Sequence, residues 1–245
     1  NRISSHLVWF GAFLLDLGGF TPLLYAFDDR EKILDLLEGV TGSRLTYCYY
    51  RFGGVCNDVD GAFLNGARDF VAYMRPRLGM YRELVTDNVI LRQRLVGIGP
   101  IPVETCRRYG ASGAVLRGSG VRYDVRRAEP YSVYPEFEFE VPVRPEGDCM
   151  ARYLVRMEEM VQSLRIVEQA VAGIPEGPYL AKAVPRMIKP PAGDYCYAVE
   201  AARGRLLVRI VSDGKDIPYR VRLRTPSFSN LSLFEEASAG MMLPD

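Results

Sequence analysis

Apolar side chains along this chain fall into a few distinct spacings, and each predicts an element. From Leu7 to Phe27 the run LVWFGAFLLDLGGFTPLLYAF is almost continuously hydrophobic and has nearly the length needed to span a bilayer. Asp16 near its centre, the Gly18-Gly19 pair and Pro22 argue against spanning, because glycine weakens a helix and proline interrupts it. The pattern instead predicts a buried helix, a glycine break and a second helix from about Pro22 to Glu38. Asp16 is the odd member of this run. A carboxylate in so apolar a setting has to be paired, protonated or functional.

Helical spacing resumes from about Ala62 to Leu95 and is clearest between Gly147 and Gly173. There Met150, Tyr153, Leu154, Met157, Met160, Val161, Leu164, Val167 and Val171 recur at helical intervals, with Asp148 as N-cap and Gly173 as the stop. The stripe reads as core, and Glu158, Gln162 and Arg165 as a solvated or partner-facing side. Near the C-terminus the period changes to two. Leu206, Val208 and Ile210 alternate with Leu207, Arg209 and Val211. After a turn at Ser212–Lys215, Tyr219, Val221 and Leu223 alternate with Arg220, Arg222 and Arg224, which predicts a hairpin. Its arginine face is expected to pair with acidic side chains of a covering element.

The intervening stretches are less regular. TGSRLTYCYYRFGGV (Thr41 to Val55) reads as a loop against a packed surface. VGIGPIPVETCRRYGASG reads as a short strand and a short helix with Glu104 near its start, and Ile174 to Gly193 as an extended connector. The chain thus divides into a helical core over 1–95, a small α/β insertion with an arginine-rich loop over 96–146, a long core helix over 147–175 and a connector with a hairpin over 176–245. The fold class expected is α+β, predominantly helical.

Composition removes several function classes. The 245 residues suffice for one large domain or two small ones, and 48% hydrophobic with 25% charged residues describes a folded protein. Lys+Arg 31 against Asp+Glu 30 leaves a net charge of +1, without the basic excess of a nucleic-acid binder. Cys48, Cys56, Cys106, Cys149 and Cys196 are scattered, odd in number and never in a C-x-x-C pair, so a disulfide framework or a zinc site is not expected and a reducing compartment fits. The single histidine, His6, cannot hold a transition metal alone, and its place in an apolar helical pattern predicts a packed, hydrogen-bonded side chain. The stretch LRGSGVRYDVRRAEPYSVY brings Arg117, Arg122, Arg126 and Arg127 close to Asp124 and Glu129. It is not a phosphate loop, because no Gly-Lys-Ser/Thr follows and the third glycine of a dinucleotide fingerprint is missing. With no starting methionine and an abrupt MMLPD ending, the chain reads as part of a longer polypeptide.

Taken in order, RISSHLVW, LLDLGGFTPLLYAFDDREKILDLLE, TGSRLTYCYYRFGGV, LRGSGVRYDVRRAEPYSVY, GDCMARYLVRMEEMVQSLRI, VEAARG and VSDGKDIPYRVRLRTPSFSNL resemble the D subunits of respiratory complex I, the NADH–quinone oxidoreductase. The likeness runs over most of the chain. It implies a hydrogenase large-subunit type of fold, with a long-helix core and small antiparallel β parts. It also implies a place in the peripheral arm on the cytoplasmic side of the membrane, with the B, C and I subunits and the membrane-embedded H subunit of the complex as partners. With the B subunit such a chain would form the chamber where quinone is reduced by the terminal 4Fe–4S cluster of that neighbour, coupled to proton translocation. It would bind no cofactor or metal by itself, would not be active alone, and would have no nucleic-acid partner.

The same resemblance carries residues across one at a time. Asp16, in the L-D-L-G motif, matches the family's chamber aspartate, which pairs with a histidine on an N-terminal segment outside these 245 residues. Arg51, in R-F-G-G-V, matches an arginine that the family places near the cluster. Thr46 stands where many members have a histidine, which implies a lower and less pH-dependent cluster potential suited to a low-potential quinone such as menaquinone. Arg117, Asp124, Arg126 and Arg127 belong to a loop whose expected role is to lock domains and neighbouring subunits together. Between Pro178 and Tyr195 the chain is shorter than many members. The nearest rival is the large subunit of a membrane-bound nickel–iron hydrogenase or a related quinone or F420-type oxidoreductase; its two C-x-x-C pairs would lie at or beyond the ends of these 245 residues, and the internal blocks SFSNL and GDCMARYLVRMEEM resemble complex I more closely.

Overall fold

The protein is seen here in a computed structural model that describes residues 1–185 and 187–242. Helix α1 (Arg2–Asp16) and helix α2 (Phe20–Thr41) form the opening pair. The glycine break works as the sequence predicts: Gly18 takes φ +91°, and the Gly19 amide closes on the Leu14 carbonyl at 2.7 Å. Asp60 caps α3 (Gly61–Tyr81) by accepting from the Phe63 amide. The single helix predicted from Ala62 to Leu95 is broken. A π-turn occupies Arg82–Thr86, and Asn88 caps a fresh start, α4 (Val89–Leu95), by accepting from the Ile90 amide at 2.8 Å. An asparagine inside a helical pattern is a better cap than an interior residue, and that preference wins here.

Residues 96–146 contain no strand, so the predicted α/β insertion is corrected to short helices and loops: α5 (Val103–Tyr109), α6 (Ala114–Gly118) and α7 (Val125–Ala128). The expected strand near 96–101 instead bonds to the loop before the long helix. Ile98 O accepts from the Cys149 amide, and the Ile101 amide donates to Gly147 O. That long helix, α8 (Cys149–Gly173), is capped by Asp148, which accepts from the Ala151 amide at 2.7 Å. Gly173 is its last helical residue, followed by Ile174 in an extended conformation. The stripe of α8 buries Met150, Tyr153, Met157, Met160 and Leu164 against Leu7, Phe10, Met74 and Tyr81 from α1 and α3. Val161 is an exception at 49% exposed. The opposite face is not left to solvent: Gln162 accepts from the Glu140 amide, and Gln169 both accepts from the Glu138 amide and donates to its carbonyl.

The β structure comes in two pieces. Strands β1 (Tyr50–Arg51) and β2 (Gly54–Val55) form a minimal hairpin. Strands β3 (Gly193–Ala201), β4 (Gly204–Ser212) and β5 (Arg220–Arg224) form an antiparallel sheet in that order. The hairpin predicted from the sequence is β4–β5, and β3 is an addition. Its alternation of Tyr195, Tyr197 and Val199 follows a proline-rich connector and is easily assigned to it. Gly113 fits the turn between β3 and β4: at φ +67° a Cβ there would lie 2.1 Å from the Arg203 carbonyl oxygen. Two short helices, α9 (Pro226–Leu231) and α10 (Phe234–Ser238), follow the sheet. Among the described residues, no helix is long and apolar enough to cross a membrane. Long helices with small antiparallel sheets make this an α+β protein.

Candidate functional site

Asp16 closes the last turn of α1, on the corner where the chain reverses into α2. The sequence places it in an oily enclosure, but this chain does not build one around it. Asp16 is exposed and takes no ion pair among the described residues. It stands on the rim of a cleft of about 490 Å³ lined also by His6, Trp9, Phe13, Arg156, Arg203 and Leu231. Trp9 stacks on Phe13 with ring centroids 5.4 Å apart, and the Arg156 guanidinium lies over Trp9 at 4.6 Å. Leu15, Phe20 and Leu24 beside Asp16 are exposed, by 42%, 58% and 55%. A smaller cavity of about 210 Å³ continues this apolar corner to Leu84 and Ile90, which are exposed as well. The physical reason for the correction is that half of the apolar run faces outward, away from this chain's own core.

Thr46 and Arg51 lie elsewhere, on the loop and hairpin that follow α2. Both are exposed, and Thr46 holds a left-handed φ of +56°. The Arg51 guanidinium folds back on its own loop, donating to Tyr50 O at 2.9 Å and approaching Cys48 Sγ at 3.4 Å. The tip is stapled to the connector: the Val55 amide donates to Tyr179 O and the Ala181 amide to Gly53 O. Arg51 lines a separate groove of about 770 Å³ with Phe52, Cys56, Leu180, Val184 and Ile210. The start of the loop is held to α2, where Arg44 donates to Asp35 at 3.1 Å, whereas Leu45, Tyr50 and Phe52 are exposed. Asp16 and Arg51 are not brought into one cavity by this chain.

The arginine-rich loop has the opposite character. Arg117 is 1% exposed and donates through Nε to Glu159 of α8 at 2.7 Å, and through Nη1 to Glu200 of β3 at 3.0 Å and to the Tyr123 carbonyl. Asp124 caps α7 and accepts from Arg126 Nε at 2.9 Å. Arg127 donates to the carbonyls of Phe137 and Phe139. From α1, Arg2 donates to Glu200 at 3.1 Å, and His6 Nε2 meets the second Glu159 oxygen at 2.7 Å. Arg122 is exposed and outside this hub, and Glu129 pairs with Arg205 rather than with an arginine of the loop. On the sheet, Arg209 pairs with Asp194 of the adjoining strand, and Arg224 donates to Gly110 O.

Electrostatics define the hub. Burial alone would raise the Glu159 carboxyl, but Arg117, the His6 hydrogen bond and Arg2 together hold it well below the usual carboxylate range. Burial pushes the His6 imidazole down to about 4, against the pull of Glu159. An ionised Glu159 can only accept, so Nε2 of a neutral His6 carries the proton. Burial likewise lowers the Arg156 guanidinium to about 10. Sequence reading missed Glu159 and Glu200. For Glu159 a signal exists: of the adjacent acids Glu158 and Glu159, only one can face solvent, and Val155, Glu159 and Ser163 share the inward side at helical spacing. Among the described residues, no three metal-ligating side chains come together.

The sequence is similar to a known family and to several named proteins. The family model described as "Respiratory-chain NADH dehydrogenase, 49 Kd subunit" matches residues 16–190 and 182–245. A relative from Opitutus terrae, named as a second D-type subunit of NADH-quinone oxidoreductase, is 73% identical over 245 residues, covering all of this chain and 61% of the relative. The D-type subunit of NADH-quinone oxidoreductase from Desulfotalea psychrophila is 61% identical over all of this chain and 66% of its own length. The Geobacillus kaustophilus protein of the same name is 50% identical over 98% of this chain and 65% of its length. The chain thus spans less than two thirds of these relatives.

Proposed function

Because this chain belongs to the family of 49 Kd subunits of respiratory-chain NADH dehydrogenase, we propose that it works in the peripheral arm of an NADH–quinone oxidoreductase and supplies one wall of the quinone-reducing chamber. Asp16 is the acid of that wall. The observation that carries this reading is the placement of Asp16 at the mouth of a cleft, on a corner studded with exposed Leu15, Phe20, Leu24 and Ile90. Exposed apolar patches of this kind mark surfaces that other chains or a membrane cover. Once covered, a carboxylate at that position can hand over or hold a proton as quinone takes up electrons.

The finer features follow from the same reading. The long-helix core with its antiparallel sheet suits the hydrogenase large-subunit type of fold. The B, C and I subunits and the membrane-embedded H subunit of the complex are the proposed partners, on the cytoplasmic side of the membrane. The electron-donating iron–sulfur cluster belongs to the B subunit, and this chain binds no cofactor alone. Arg51 and Thr46 lie on an outward-pointing tip, where a docked cluster would feel the fixed guanidinium charge. That charge favours the reduced cluster, while Thr46 leaves no titrating imidazole beside it. The family assignment and the names of the relatives favour this reading over a nickel–iron hydrogenase.

The test is Asp16→Asn in the assembled complex. NADH–quinone activity should fall by roughly a hundredfold, with NADH oxidation by an artificial acceptor, polypeptide content and the cluster signals unchanged. Wild-type turnover with quinone would refute the role of Asp16. For the tip, Thr46→His should give the terminal cluster a pH-dependent potential in a redox titration, and an unchanged slope would remove Thr46 from the cluster's surroundings.

A further inference from the structure

The hairpin of β1 and β2 is too small to hold its own shape. Each strand has two residues, and an isolated two-stranded hairpin is marginal in water even at greater length. Tyr50 and Phe52 at its tip are 81% and 72% exposed, so they lie outside the core. Its base is tied to α2, where the Asn57 side-chain amide donates to Val40 O at 2.8 Å. The tip is tied elsewhere. Among the described residues, the main-chain bonds that Gly53 and Val55 make outside their loop go to the connector.

Leu180 faces Gly54 in an antiparallel bridge. To either side, the Val55 amide donates to Tyr179 O at 3.1 Å and the Ala181 amide to Gly53 O at 3.0 Å. Residues 179–181 therefore act as a third strand in miniature, and three strands are where a small sheet begins to hold its shape. The fit is close. A Cβ on Gly53 would meet Val184 Cγ2 at 2.8 Å and Ala181 Cβ at 3.1 Å, so the connector leaves that position no room for a side chain. Arg51 stands beside this junction. Its Nη1 is held by the carbonyls of Cys48 and Tyr50, whereas Nε and Nη2 have no partner among the described residues. With one nitrogen anchored, the direction of the charge follows the hairpin backbone, and the connector fixes that backbone from outside.

We propose that the connector residues Tyr179, Leu180 and Ala181 are positioning residues for Arg51. They hold its guanidinium at one distance from the redox centre that docks on the tip, and so set how strongly the charge favours the reduced centre. This rests on the reading that Arg51 borders the cluster of the neighbouring subunit. Coulomb energy falls with separation and with intervening water, so a hairpin released from the connector presents the same charge to smaller effect.

Ala181→Pro tests this in the assembled complex, because proline removes the amide that donates to Gly53 O and leaves every residue of the hairpin unchanged. The readout is the midpoint potential of the terminal cluster, followed by electron paramagnetic resonance during a redox titration. Arg51→Gln should make the cluster roughly tenfold harder to reduce, about 59 mV for one electron. Ala181→Pro should lower the potential by part of that shift. The double variant should give no more than Arg51→Gln alone, since the connector acts through the arginine. Gly54→Ala, which presses on the connector from the hairpin side, should match Ala181→Pro. Ala181 is exposed, so the subunit content of the complex should not change. If Arg51→Gln shifts the potential while Ala181→Pro and Gly54→Ala do not, or if the shifts add in the double variant, the positioning role is overturned and Arg51 keeps its place by the cluster. A potential untouched by Arg51→Gln overturns that placement too.

Discussion

The ionic hub around Glu159 and the hairpin tip around Arg51 hold their charges in opposite ways. In the hub, four guanidiniums (Arg2, Arg117, Arg126 and Arg156) are set among three carboxylates (Asp124, Glu159 and Glu200), and the charged side chains interlock α1, α6, α7, α8 and β3. At the tip, Arg51 reaches, among the described residues, its own loop and the groove beside it. Removing a charge from water is costly, so a buried ion must find its partners within the fold. An exposed one has no such requirement and remains available to whatever docks. The contrast separates charge fixed inside the fold from charge held at the surface, although arginine supplies both.

The most direct way to break this contrast is at Glu159. Glu159→Ala takes from Arg117 the carboxylate at its Nε and from His6 its hydrogen-bond partner, leaving Arg117 only Glu200 and Asp124, and should cost about 3–5 kcal/mol, read by chemical denaturation. The next effect comes from pH. His6 is held neutral in the fold, so between its ordinary value of 6.5 and about 4 the unfolded chain binds a proton that the folded chain refuses. Stability therefore falls as pH drops through that window, by roughly 3 kcal/mol. Loss of the Glu159 charge adds in the same direction at still lower pH. A His6→Gln variant should flatten the decline measured by thermal melting between pH 7 and 5; an unchanged slope would mean that another group causes it.

Smaller effects sharpen the comparison. Gly113→Ala forces a Cβ onto the Arg203 carbonyl and should cost roughly 2 kcal/mol. At the other extreme, Arg51→Ala and Asp16→Asn should leave the unfolding free energy within about 0.5 kcal/mol of wild type. Should Arg51→Ala destabilise as much as Gly113→Ala, the distinction between the two kinds of charge fails.

Local signals were legible where one periodicity dominated. The stripe and N-cap of α8, the glycine break after α1 and the β4–β5 alternation all follow from residue spacing. What escaped depends on pairing at a distance. Nothing near Glu159 in sequence announces Arg117, 42 residues away, and nothing near Arg2 announces Glu200, 198 residues away. Asp16 is legible as unusual because of its apolar neighbours. Which of those neighbours turn inward is decided by helix packing, and the hydrophobic run alone does not reveal it. The Asn88 break in the third helix was visible as a residue type but was overruled by the surrounding helical spacing.

The two backbone bonds that tie Gly53 and Val55 to Tyr179 and Ala181 give the hairpin an address beyond its own sequence. A molecule gripping the connector at those residues would also set the aim of the tip, as a hand on a lever's pivot steers its far end. Recognition at one part of the surface and orientation of a cation at another would thereby be joined through the main chain, and a side chain at Gly54, whose Cβ would lie 2.1 Å from the Tyr179 carbonyl oxygen, would part them.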